Sequence, residues 1–304
     1  MPQGLIVKAL SGYYYVNPEE APDQSIQCRA RGLFKLKHVT PLVGDRVRFE
    51  RTENGEGTVT EVLPRSSELI RPPVANVDLA VLVFSLSEPD LNVPLLDKFL
   101  VHTEKAGLET LVCMTKRDLL TNADDATCTA ADRQMEQIVR LYEQIGYRVL
   151  VTSSFTGEGV AGIKNELAGR ISVFAGQSGV GKSSLLNALV PGLELETNAI
   201  SMKLGRGKHT TRHVELIPLD NGGIVADTPG FSQLDFLNIA PEELGSCFRE
   251  FRELSENCKF RGCLHLHEPD CRVREAVENG AVAGSRYENY VAFLKEMKER
   301  KRRY

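Results

Sequence analysis

Over the first seventy or so residues the apolar positions alternate with polar ones in short stretches, at 4–10, 12–17, 25–32, 43–50 and 57–63. In the fourth stretch Val47 and Phe49 alternate with Arg46 and Arg48. Period-two patterning in short pieces broken by turn residues predicts strands, and strands so closely spaced suit a small β-barrel. The pattern changes near 71–78. A run at 77–85, apolar except for Asp78 and Ser85, predicts a buried strand, followed by a helix at 93–107, a strand at 109–115, a long helix at 131–146 and a strand at 147–154. A further strand at 170–175 precedes a helix at 184–190. Strand alternating with helix predicts a parallel sheet covered on both faces. Asp220, Asn221, Gly222 and Gly223 sit between two apolar runs and predict a hairpin turn within that sheet. After Gly230 the chain becomes helical and cysteine-rich, and it ends in a charged helix at 285–304. The expected domains are therefore an all-β barrel at 1–70, an α/β domain at 71–235 and a helical domain at 236–304.

Composition refines this picture in two ways. A formal net charge of −4 excludes a whole-chain polycation, so contact with nucleic acid has to come from local basic patches. Such patches occur at Arg46, Arg48 and Arg51, at Arg206, Lys208 and Arg212, and within 295–303. No run of eighteen apolar residues occurs and the first residues lack a signal-like pattern, so a soluble, cytoplasmic protein is expected. Of seven cysteines, Cys258, Cys263 and Cys271 crowd into one stretch with His265 and His267. In a reducing compartment that grouping points to a metal site instead of disulfides. Three thiolates and one imidazole suffice for a closed tetrahedral structural centre, one that leaves no position open for catalysis. Cys28, Cys113, Cys128 and Cys247 are expected to pack as ordinary thiols.

Positions 176–184 carry the strongest chemical signal. Gly176, Gln177, Ser178, Gly179, Val180, Gly181, Lys182, Ser183 and Ser184 follow a predicted strand and open a predicted helix, the setting of a phosphate-binding loop. Gly176 and Gly181 permit close backbone approach, so that successive N–H groups can face α- and β-phosphates. Lys182 reaches the β- and γ-phosphates, and Ser183 offers a hydroxyl to Mg²⁺.

Thr115, Lys116, Arg117 and Asp118 end a predicted strand. The Asp118 carboxylate can accept from both N1–H and the 2-amino group of guanine, a donor pair that adenine lacks. GTP and GDP are thereby favoured over adenine nucleotides. Thr115 stands where such motifs usually have Asn, so the amide's contacts to base and phosphate loop are partly lost or made by the hydroxyl. Ser153 and Ser154 occupy the position of a second guanine-contacting loop. Asp227 and Gly230 bound a D-x-x-G element that holds the Mg²⁺ shell and senses the γ-phosphate. Between these motifs lies a basic, glycine-punctuated segment suited to a switch loop, in which Thr210 or Thr211 is the Mg²⁺ ligand. Phe231 follows the D-x-x-G element where many GTPases carry a water-orienting Gln, leaving His209 or a partner's group to orient the attacking water.

The guanine-reading motifs precede the phosphate loop, a circularly permuted order. Permuted order, a leading barrel, a switch segment at 205–211 and a trailing Cys/His cluster together resemble the ribosome small-subunit-dependent GTPase A family of bacteria, over essentially the whole chain. The resemblance implies an OB-fold barrel that binds RNA, a permuted P-loop GTPase and a C-terminal zinc domain in which His265 is the fourth ligand. It also implies GTP hydrolysis during maturation of the small (30S) ribosomal subunit, with 16S rRNA as a partner. Apart from the resemblance, neither DNA nor a membrane is expected as a partner, and a monomer is the default expectation. Two other classes fit parts of the pattern. A nucleotide-stabilised RNA-binding scaffold with negligible turnover is favoured by Phe231. A small-molecule kinase is opposed by the guanine-reading motifs.

Overall fold

The computed structural model describes the chain apart from residues 33, 35–38, 71–72, 121–124, 191, 194–213, 228–238 and 302–304. Its first five strands are β1 (Gln3–Leu10), β2 (Tyr13–Pro18), β3 (Ile26–Ala30), β4 (Arg46–Arg51) and β5 (Gly57–Val62). They run in the order β1-β2-β3-β5-β4, and β4 pairs back onto β1, which closes the barrel in the arrangement of an OB-fold. Period-two alternation explains the interior: Ile6, Val16, Cys28, Val47, Phe49 and Val59 are fully buried, while Arg46 and Arg48 are exposed. Burial pushes the Cys28 thiol up to about 11, in keeping with an inert packing role. Each barrel arginine singled out from the sequence is already paired with a glutamate: Arg46 with Glu19, Arg48 with Glu61 and Arg51 with Glu20. These exposed pairs contribute at most about 1 kcal/mol each, so the arginines can exchange partners at little cost.

A short hairpin, β6 (Glu68–Ile70) with β7 (Pro73–Ala75), has no counterpart in the sequence reading, because three-residue strands show no period. It docks on the barrel through the Val43–Val74 bridge.

Beyond it lie β8 (Leu79–Ser85), α1 (Val93–Lys105), β9 (Glu109–Thr115), α2 (Arg117–Leu120), α3 (Asp125–Gln144) and β10 (Arg148–Val151). Next come α4 (Val160–Leu167), β11 (Ile171–Ala175), α5 (Lys182–Leu189), β12 (Glu215–Pro218) and β13 (Ile224–Asp227). The helix expected at 131–146 begins six residues earlier, at Asp125, through an alanine-containing stretch that favours helix. The spatial order is β10-β9-β8-β11-β13-β12, parallel except for β12. Along β8, Leu79, Val81 and Val83 face a core shared with α4 and α5, whereas Leu82 and Phe84 face one shared with α1 and α3. Both faces are covered, which is why the strand reads as uninterrupted apolar sequence.

The C-terminal part consists of 3-10 segments at Pro241–Cys247 and Arg249–Phe251, then α6 (Arg252–Glu256), α7 (Arg272–Glu278) and α8 (Gly284–Lys301). Its core includes Phe248, Phe251, Tyr290 and Leu294, together with Val101 from α1. A buried ion cluster joins it to the α/β part. Arg286, 1% exposed, donates through Nη1 to Asp97 at 2.5 Å and through Nε to Glu250 at 2.7 Å. Asp97, fully buried on α1, also accepts from the Tyr142 hydroxyl and the Asn289 amide, both at 2.6 Å. The guanidinium lies 4.6 Å from the centre of the Phe248 ring. Removing one member of such a cluster strands the other charge in a dry interior. Arg286→Met is therefore expected to lower stability by about 3–5 kcal/mol in equilibrium urea unfolding, with Asp97→Asn in the same chain recovering part of the loss.

Candidate functional site

All five parallel strands present their carboxyl ends at one edge of the sheet, where open α/β sheets bind ligands. From that edge β11 runs into the phosphate loop and β9 into Lys116 and Asp118. β13 ends at Asp227, next to β11 in the parallel register Val173↔Ala226.

The loop itself depends on its glycines. Gly176 has φ +148°, and a Cβ there would lie 2.1 Å from the Val83 carbonyl oxygen, so the backbone passes β8 too closely for any side chain. Gly179 and Gly181 also have positive φ, at +83° and +91°. Gly181 caps α5 without a side-chain acceptor, so the first-turn N–H groups of Lys182, Ser183 and Ser184 are available to an anion, which the helix dipole favours. Lys182 Nζ donates to the carbonyls of Gly176 and Gln177, each at 2.6 Å, and burial lowers its pKa to about 8. A phosphate would supply the negative charge this half-desolvated ammonium lacks. Val180 turns inward, fully buried, and anchors the loop in the core.

The residues expected from the sequence to read the base converge on the same loop. Thr115 is 2% exposed, and its hydroxyl lies 2.5 Å from the Val180 carbonyl. Asp118 Oδ1 accepts from the Ser153 hydroxyl at 2.5 Å, and Ser153 Oγ in turn accepts from the Thr156 N–H at 3.1 Å. Ser153 is buried while Ser154 is partly exposed beside Phe155, which is 90% exposed. Lys116, at φ +61°, donates to the Glu88 carbonyl. Arg117 forms an ion pair with Asp132 at 2.8 Å and so belongs to the scaffold behind the loop. His209, Thr210, Thr211 and Gly230 lie outside the described residues, as does the side chain of Asp227.

A second cluster lies in the C-terminal part. The ligating atoms of Cys258, Cys263, His265 and Cys271 all fall within 4.8 Å of one another. Cys258 Sγ is 4.0 Å from Cys271 Sγ and 3.8 Å from His265 Nδ1, which is 3.4 Å from Cys271 Sγ. A tetrahedral ion with bonds of about 2.3 Å to sulfur has edges of about 3.8 Å, so the set fits a metal ion. Neighbouring groups orient it. The Ser255 hydroxyl donates to the Phe251 carbonyl at 2.6 Å, so its contact with His265 Nε2 at 3.1 Å must be as acceptor. The imidazole proton therefore sits on Nε2, and the Nδ1 lone pair faces the sulfurs. Burial pushes the Glu268 carboxyl up, but the N–H groups of Leu264, Leu266 and His267 outweigh it and hold its pKa at about 2. Tyr287 and Tyr290 donate to the carbonyls of His265 and Leu264. His267 points outward and is exposed. Sequence reasoning missed Ser255, which acts through one hydroxyl, and Glu268 and both tyrosines, which act on backbone groups; none of them carries a spacing signal.

The RsgA GTPase family model matches residues 62–237, and the RsgA N-terminal domain model matches residues 3–59. A protein of Bacillus velezensis named small ribosomal subunit biogenesis GTPase RsgA is 54% identical over the whole of both chains. One of the same name from a Geobacillus species is 55% identical, again over both full lengths. Among solved structures, YloQ, described as a circularly permuted GTPase, superposes with a TM-score of 0.84 at 45% identity, covering 100% of this chain and 97% of its own. YjeQ from Thermotoga maritima gives 0.85 at 41% identity, covering 97% and 98%. The contact at Gly176 makes a direct prediction. Gly176→Ala is expected to displace the loop from β8, lower stability by more than about 1 kcal/mol and abolish saturable nucleotide binding, read by thermal unfolding and by titration with a fluorescent guanine nucleotide.

Proposed function

The chain belongs to the RsgA GTPase family, and we propose that it hydrolyses GTP to GDP and phosphate as a maturation factor of the small ribosomal subunit. The observation that carries this reading is the junction of base-reading strand and phosphate loop, where Thr115 meets Val180 and Asp118 is held by Ser153. The names of the full-length relatives support the ribosomal role.

In this reading the N–H groups of 176–184 cradle the phosphates, and Lys182 leaves its carbonyl partners for the β- and γ-phosphate oxygens. Asp118 selects guanine, with the 153–154 loop beside it. Ser183 and Asp227 would hold Mg²⁺, whose chemistry is to offset charge on the β- and γ-phosphates. Thr210 or Thr211, Gly230 and His209 take the switch and water-orienting roles that their sequence positions imply.

The domains are the barrel at 1–70, the permuted GTPase at 71–235 and the helical unit at 236–304. Cys258, Cys263, His265 and Cys271 hold one structural Zn²⁺, since three soft thiolates and a neutral imidazole suit that ion. The protein acts as a monomer in the cytoplasm on the 30S subunit and its 16S rRNA, with neither DNA nor a membrane as partner. Among the described residues no helix is long and apolar enough to cross a membrane. The barrel arginines would exchange their glutamates for RNA phosphates.

Two measurements check this reading. GTP turnover by the full chain is expected to rise at least about 10-fold with small ribosomal subunits and not with large ones, and Lys182→Ala to lose more than about 100-fold of the stimulated rate. A flat response would favour the nucleotide-stabilised scaffold. Metal analysis should find zinc bound to the purified protein, and Ser255→Ala should weaken it by about 10- to 100-fold in chelator competition.

A further inference from the structure

The barrel and the GTPase part belong to one continuous sheet, joined where β1 meets β12 at Lys8↔Glu215. Glu215 stands opposite Asp227 on its other side, and Lys8 stands opposite Tyr15. One ladder row therefore runs from the end of β13, through β12, to β1 and β2 of the barrel. Neighbouring strands lie about 4.8 Å apart, which puts the backbone of Asp227 only about 10 Å from that of Lys8.

The two sides of this row are held unequally. β12 pairs with β13 along its whole length, from Glu215↔Asp227 to Pro218↔Ile224, and the turn between them is pinned to α4. There Lys164 Nζ donates to Asp220 and the Asn221 amide to the Lys164 carbonyl, each at 2.6 Å, and a Cβ on Gly223 would lie 2.2 Å from the Leu167 carbonyl oxygen. The end of the hairpin that can move is thus the one at the nucleotide edge. β1, in contrast, is committed to the barrel, paired with β2 from Gly4 to Leu10 and with β4 from Gln3 to Leu5. It reaches β12 at one residue, beside an irregularity in its register between Ile6 and Lys8. The Lys8–Glu215 ion pair there is 33% and 52% exposed, so it adds little. Val214 and Leu216, on either side of Glu215, are buried in the same core as Ile6 and Val47, a non-directional contact that permits sliding. The joint is the weakest point of the row, and it lies one strand from the residue expected from the sequence to hold the Mg²⁺ shell.

We propose that the Lys8–Glu215 joint is a hinge through which the nucleotide state at the sheet edge sets the position of the barrel, and with it the barrel's grip on RNA. This rests on the GTPase and RNA-binding readings above.

The test locks the hinge. Directly opposed residues on antiparallel strands have the Cα spacing of a disulfide, so Lys8→Cys/Glu215→Cys is expected to close one on mild oxidation and reopen it on reduction. Binding of small ribosomal subunits by the full chain is measured with GDP and with a non-hydrolysable GTP analogue, the equally oxidised parent serving as reference. The parent is expected to differ at least about 10-fold between the two nucleotides, the oxidised variant less than about 3-fold, and the reduced variant is expected to return to the parent's ratio. Deuterium exchange of the β1 amides, read without ribosomes, should change with nucleotide in the parent and the reduced variant and not in the oxidised one. An oxidised variant that keeps the parent's ratio, or a parent whose subunit affinity ignores the nucleotide, overturns the hinge. Should the variant fail to fold or to close, exchange in the parent decides: a nucleotide-dependent change at 7–10 and 214–216 supports the hinge, and its absence there overturns it. A parent that binds small subunits with neither nucleotide would instead overturn the maturation-factor reading, and the exchange experiment would still decide the hinge.

Discussion

Parallel pairing is the constraint on which the nucleotide site depends. Strands that run side by side in the same direction end at the same edge, so whatever follows them is brought together regardless of its place along the chain. Here β9, β8, β11 and β13 are neighbours in that order, with registers that align Ser85 with Thr115 and Leu82 with Ala175. The residues assigned to base and to phosphate therefore meet, Thr115 against Val180, although the first precede the second in sequence. Circular permutation changes which loops are covalent and leaves the sheet order untouched. What it alters is the exit: the strand ending in Asp227 is followed by the C-terminal part.

That part is held by α1. Asp97, Lys98, Glu104 and Lys105 on this helix pair respectively with Arg286, with Glu296, with both Arg249 and Arg252, and with Glu243. Most of these contacts are at least partly solvated and individually weak. The Asp97–Arg286 pair is not, and its geometry leaves little freedom, since every polar atom of the carboxylate is already committed to Arg286, Tyr142 or Asn289. An apolar contact of the same area could slide, whereas a buried carboxylate stranded by a small shift would be destabilising by several kcal/mol. The loop leading into α1 carries Glu88, whose carbonyl receives the Lys116 ammonium, and Pro89, which lies 3.8 Å from where a Cβ on Gly179 would be. One helix thus begins beside the nucleotide edge and ends against the C-terminal core.

The sequence is most legible where backbone geometry dictates residue type. Gly176 is readable because nothing else fits under β8, and the barrel strands are readable because one face is buried and the other wet. The cysteines are readable because soft ligands in one loop have few other uses. Illegible elements share a different property. Asp97 and Arg286 are 189 residues apart, and each looks like an ordinary charge on a helix surface until the two helices are docked. The hairpin of β6 and β7 is too short for a period. Ser255 and Glu268 work through a single hydroxyl and through backbone N–H groups, which any number of serines and glutamates could offer. Thr115 was visible as a departure, but its consequence needed the position of the Val180 carbonyl.

The C-terminal part is built from short pieces, a seven-residue 3-10 segment, a five-residue helix and a seven-residue helix before α8. Elements of that length do not persist alone, and the 258–271 loop that links them contains no regular structure of its own. Its shape is held by the three N–H groups gathered on Glu268 and by the tyrosines of α8, around the Cys/His cluster. On α8 the residues Arg286 and Tyr287 are adjacent: one holds Asp97 of α1, the other holds the carbonyl of His265. The 258–271 loop and the helix that begins at the nucleotide edge are therefore fastened to consecutive residues. A metal ion that orders the loop would thereby order the surface against which α1 is clamped. The centre can in this way matter to the nucleotide domain with no chemistry of its own.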